Sequence, residues 1–181
     1  MIGGGGRRMV ELGLKWHGRD APPAHIDRRF ADFLAHYSEH IADRSRPFPG
    51  VDAALGHLSG KGCRLAVCTN KLEGLSRLLL DELDLTRRFA AICGQDTFGI
   101  QKPDPEILRR TIQAAGGEMP RAIMVGDSAT DIATARAAGI PVVAVDFGYS
   151  ETPVAALRPD RLIGHFDDLA SAIRELAPAA G

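Results

Sequence analysis

The sequence predicts an α/β protein of the Rossmann type: a mainly parallel sheet covered by helices, with a separate helical element ahead of it. Three observations carry this. From Val51 onward, short apolar runs suited to strands buried on both faces alternate with stretches at helical spacing. Before that point the apolar residues recur only at helical spacing, with no strand between them. Arg46-Pro47-Phe48-Pro49-Gly50 separates the two patterns as the natural hinge. The expected division is a cap over residues 1–46 and an α/β core over residues 47–181.

In the cap, Gly3 to Gly6 resist regular structure, because each glycine gives up the most backbone entropy on ordering. A helical pattern starts at Arg7, with Met9, Val10, Gly13 and Leu14 on one side, and the prolines between Asp20 and Ala24 break it. Ile26, Phe30, Phe33, Leu34, Tyr37 and Ile41 then mark an amphipathic helix over residues 25–43.

In the core, Val51, Leu55 and Leu58 mark a helix, Cys63 to Cys68 a strand, and Leu75, Leu78, Leu79 and Leu83 another helix. Ala90 to Cys93 is a short strand. Asp104 as N-cap and Pro105 as first helical residue open the helix of Ile107, Leu108, Ile112 and Ala115. Strand 122–125, helix 129–138 and strand 142–145 follow, then a short strand at Arg161 to Ile163 and a closing helix with Leu169, Ile173 and Leu176.

Composition narrows the function classes. A chain of 181 residues, 45% hydrophobic and 25% charged, has enough apolar surface for one full core plus a small accessory element. Its formal net charge of -1 gives no electrostatic footprint for nucleic acid or an anionic membrane. Cys63, Cys68 and Cys93 lie in or beside apolar runs without CxxC spacing, which fits buried thiols in a reducing compartment. With no secretory h-region and no run of transmembrane length, the expected location is the cytoplasm.

Parallel strands deliver their last residues to one rim, where ligands of open α/β sheets bind. Strand 63–68 ends in Thr69-Asn70, strand 122–125 in Gly126-Asp127, and strand 142–145 in Asp146; Lys102 lies on the approach to the same edge. Each has a structural reading beside the chemical one. Ser128-Ala129-Thr130-Asp131 is also a capping box, Thr69 also a helix N-cap, and Lys102 also a solvated surface lysine. Their order and spacing together favour chemistry.

Cys68-Thr69-Asn70, Lys102-Pro103-Asp104-Pro105 and Val125 to Asp131 resemble motifs two, three and four of the haloacid dehalogenase superfamily of phosphohydrolases. Asp146 to Ser150, His165 to Leu169, and Gly3 to Arg8 with Val10-Glu11 further resemble its phosphoglycolate phosphatase branch. The resemblance implies that Thr69 and Asn70 donate hydrogen bonds to the transferring phosphoryl group, with Thr69 and Lys102 as the catalytic residues still present. It also implies that Lys102 offsets the crowded negative charge, that Asp127 ligates Mg²⁺, and that Asp131 stands behind it as an auxiliary acid. The implied partner is a small phosphorylated metabolite, with no nucleic acid and no membrane, and a homodimer stays open.

One departure matters. Members of that family begin with a strand ending in DxD, which supplies the nucleophile, the general acid and base, and a principal Mg²⁺ ligand; these 181 residues hold no such segment. The expectations are a chain shortened at its N-terminus, Mg²⁺ binding that is weak or absent, and no turnover by this polypeptide alone. The family order places the missing strand between strands 63–68 and 122–125. Leaving their edges unpaired and buried would cost a sum comparable to a domain's whole stability. Direct pairing of those two strands, or a segment filling the gap, is therefore expected. The alternative function is a non-catalytic relic that binds phosphate or a partner; a sugar-phosphate mutase or dehalogenase fits the Phe147-Gly148-Tyr149-Ser150-Glu151-Thr152-Pro153 stretch less well.

Overall fold

The computed structural model describes residues 5–19, 21–150 and 152–177. Gly3, Gly4, Asp20 and Glu151, each part of a stretch read above, lie outside the described residues. Two helices lead the chain: α1 (Gly5–Trp16) and α2 (Pro23–Glu39). They pack on each other. The glycine run does enter a helix, against expectation, and packing is the reason. A Cβ at Gly6 would sit 3.0 Å from Phe30 and 3.3 Å from Phe33, so the bare backbone lets α1 close on the aromatic face of α2. On that face the rings of Phe30, Phe33 and Tyr37 stack in series, with centroids 6.5 and 5.6 Å apart. The helix expected over 25–43 starts and ends earlier, and Ile41, in the turn after it, is buried.

The core alternates as expected: α3 (Val51–Gly60), β1 (Ala66–Cys68), α4 (Glu73–Glu82), β2 (Ala91–Cys93), α5 (Pro105–Ala114), β3 (Met124–Gly126), α6 (Ala129–Ala138), β4 (Val142–Val145), β5 (Arg161–Ile163) and α7 (Leu169–Leu176). Strand pairs are parallel throughout. They form two sheets rather than one, β1-β2 and β3-β4-β5.

This corrects the expected pairing. Among the described residues β1 and β3 share no ladder, and no segment of the chain lies between them as a strand. The cost is lower than a buried gap would impose, because β1 has only three residues, with Ala66 exposed and Val67 and Cys68 half-buried. Water can satisfy much of such an edge. Helix α5 spans the division by packing on β1, β2 and α6.

The three-stranded sheet is covered on both faces. Leu108, Met124, Ile132, Ala135, Val142 and Ala144 form one apolar layer beneath α5 and α6. Ala54, Leu58, Val143, Val145, Ile163 and Leu169 form the other beneath α3 and α7. β4, in the middle, is buried at all four positions, which is why its run of Val142-Val143-Ala144-Val145 is unbroken. Among the described residues no helix is long and apolar enough to cross a membrane.

Candidate functional site

The C-terminal ends of β1 and β3 carry the polar residues, and the connection between them is a chain of hydrogen bonds. Asn70, just after β1, faces Lys102 across a reciprocal pair: the Lys102 N–H donates to Asn70 Oδ1 at 2.7 Å, and Asn70 Nδ2 donates to the Lys102 carbonyl at 3.0 Å. The Lys102 ammonium then donates to Asp131 Oδ1 at 2.6 Å, with both side chains largely buried. Asp131 Oδ2 accepts from the Asp127 N–H, the Ser128 N–H and the Ser128 hydroxyl at 3.2, 3.2 and 2.7 Å. Loops from two separate sheets are thus tied through one lysine.

Local sequence explains each placement. Asp104 caps α5 by accepting from the Glu106 N–H, Pro105 sits at its first turn, and a turn closed by the Asp104 N–H donating to the Gln101 carbonyl at 3.0 Å sets Lys102 just ahead of the helix. Ser128 and Asp131 form the reciprocal capping box of α6, and Gly139 closes that helix in the left-handed region. Gly126 and Gly148 are required by close approach: a Cβ on the first would collide with Asp131, and on the second with Asp127. Asp127 Oδ2 accepts from the Tyr149 N–H at 2.9 Å, which fixes that carboxylate against the loop after β4. Phe48, just ahead of α3, packs on Phe147 and Tyr149 of the same loop.

The sequence-predicted residues therefore divide into two kinds. Asn70, Lys102, Asp127 and Asp131 are joined by the contacts above. Thr69 adjoins Asn70; its Oγ1 accepts from the Lys71 N–H at 3.1 Å, which leaves its own O–H to donate, with no other partner among the described residues. Asp131 has both oxygens engaged, so its capping and ion-pair roles are structural facts whatever else it does. Asp146, at the end of β4, is exposed and outside this network.

Burial pushes the Cys68 thiol up, with Lys102 opposing the shift, so Cys68 presents a neutral side chain under the rim. Among the described residues no group of three or more His, Cys, Asp or Glu side chains could hold a metal ion. Asp127 has one oxygen with no partner among the described residues and both oxygens of Asp131 are engaged, so Asp127 is the carboxylate that would face a Mg²⁺ completed by water and phosphate oxygens.

Two residues that motif reading passed over join the rim to α2. The Lys71 ammonium donates to the Tyr37 hydroxyl and lies 4.6 Å from the centre of its ring. Nothing in the sequence flags this pair, since Tyr37 reads as one more apolar position of a helix and Lys71 as a loop lysine.

Comparison with known proteins agrees with the fold. Residues 10–145 match the family model described as haloacid dehalogenase-like hydrolase. A protein of Mesorhizobium japonicum named phosphoglycolate phosphatase is 51% identical over 181 residues, covering 99% of this chain and 80% of its own. One of the same name from Agrobacterium fabrum is 42% identical, covering 100% of this chain and 78% of its own. The crystal structure of a predicted phosphoglycolate phosphatase from Haemophilus somnus superposes with a TM-score of 0.86 at 27% identity, covering 94% of this chain and 78% of that one.

Proposed function

This chain belongs to the haloacid dehalogenase-like hydrolases, and from that premise we propose that its rim receives the phosphoryl group of a small phosphomonoester of the phosphoglycolate type, in the cytoplasm. The supporting observation is the Asn70–Lys102–Asp131 chain of hydrogen bonds, which fixes an ammonium group between two sheet ends. In this reading the Thr69 hydroxyl and the Asn70 amide donate to phosphoryl oxygens. Lys102 keeps two N–H groups beyond its bond to Asp131, and these offset negative charge next to Asp127. The cap over residues 1–46 closes on the substrate and excludes water.

Binding and transfer separate here. The 181 residues contain no strand ending in DxD, so they supply no aspartyl nucleophile at this rim, and we propose that this polypeptide binds the phosphoryl group without transferring it. Its form with a complete centre would hydrolyse the ester through a phosphoaspartyl intermediate.

Calorimetric titration of the purified chain with inorganic phosphate tests the binding half. Binding is expected, with Lys102→Met weakening it by about tenfold or more; no binding in the unmodified chain sinks the reading. The transfer half is tested with phosphoglycolate and Mg²⁺. No phosphate release is expected, and release abolished by Asp127→Asn would refute that half.

A further inference from the structure

We propose that the Lys71 ammonium and the Tyr37 hydroxyl form a second anion subsite, which receives a carboxylate borne by the phosphomonoester and so selects acidic substrates. This rests on the phosphatase reading and deepens it. The backbone of Lys71 is pinned on both sides, its N–H to Thr69 Oγ1 at 3.1 Å and its carbonyl to the Gln95 N–H at 3.3 Å. The side chain therefore starts from a fixed point two residues beyond Thr69, within about 7 Å along the chain. From there it crosses to α2 and ends, half-buried, on Tyr37.

The two cations of the rim differ in their partners. The loops that follow β1 and β3, the Gln101–Pro105 approach to α5 and the loop after β4 carry two cations, Lys71 and Lys102. Lys102 is neutralised by Asp131 at 2.6 Å. Lys71 has no carboxylate within salt-bridge distance among the described residues, and its partners are a neutral hydroxyl and a ring face. A half-buried ammonium held this way gains from an anion.

Tyr37 is suited to share the load. Its oxygen accepts from Lys71, so its own proton remains to donate, and stacking on Phe33 at 5.6 Å and 11° holds the ring in place. Two donors thus lie side by side where cap meets core. A ligand with phosphoryl at one end and carboxylate at the other would bridge the Thr69–Lys102 rim and this pair, drawing α2 onto the core.

The test is calorimetric titration of the 181-residue chain with 2-phosphoglycolate and with ethyl phosphate, which has the same phosphoryl group without the carboxylate. Phosphoglycolate is expected to bind about tenfold more tightly. In Lys71→Met that ratio should fall to near one, in Tyr37→Phe part of the way, and in Lys71→Arg it should persist. Being a ratio, it is insensitive to a partial loss of folded protein. An unchanged ratio in Lys71→Met overturns the proposal, as does a parallel weakening of both ligands, which would make the pair a cap contact only. Binding of both ligands with no preference in the unmodified chain overturns this proposal alone, whereas failure to bind either overturns the phosphatase reading with it.

Discussion

The two sheets are made of similar short apolar strands, yet one is closed in on both faces and the other stands half open. β4 is buried at every position between two apolar layers, and β3 and β5 flank it. Among the described residues β1 has a single strand neighbour; it exposes Ala66 and leaves Val67 and Cys68 half-buried. The difference teaches that apolar strand sequence does not by itself make a core; layers on both faces do. The β1-β2 half is held by what reaches it from the other half, namely helix α5 and the polar bridge from Asn70 through Lys102 to Asp131.

If α5 is the mechanical joint, truncating its best-buried side chain should produce the largest effect. Ile107 is 0% exposed. Ile107→Ala is expected to cost about 2–5 kcal/mol in a chemical denaturation series. A loss below about 1 kcal/mol would mean that the halves are joined elsewhere.

Acid should act on the open half, with a smaller effect. The Thr97 hydroxyl, and then Arg77, hold the Glu73 carboxyl below its ordinary range where α4 meets the loop after β2. Because the folded value is lowered, the stabilisation is present above the unfolded value, about 4.3, and is lost as pH falls through the folded one. Unfolding free energies of the parent chain and Glu73→Gln should therefore differ at neutral pH, by under about 1 kcal/mol, and converge toward pH 3. A difference that persists in acid removes the carboxylate from the explanation.

Sequence and structure agree best where the reading rested on local chemistry. Helix α6 was legible from its first turn, because Ser128 and Asp131 form its capping box. β4 was legible because its burial on both faces leaves an unbroken apolar run. Local patterns failed where partners decide. The strand read from Cys63 starts at Ala66, since Arg64 turns out to the carbonyls of Ala115 and Gly116. Gly5 and Gly6 are helical because α2 lies against them, and no window of sequence around the glycines contains α2. The rim residues Thr69, Asn70, Lys102, Asp127 and Asp131 were named from motif order, but the lysine's place as the link between two sheets required the fold. The unpaired β1 edge was misjudged because strand length and exposure, which set the cost of leaving it open, are tertiary quantities.

Hydrogen exchange, compared residue by residue between the parent chain and Lys102→Met, is the most direct probe of that link. Loss of the ammonium leaves Asp131 without its partner and Asn70 without an ordered Lys102 backbone. Exchange should quicken at Val67 to Asn70 and at Gly126 to Ser128, while Val143 to Val145 keep their protection. Unchanged exchange at both rims, or an equal loss through all five strands, would show that Lys102 does not join the two halves.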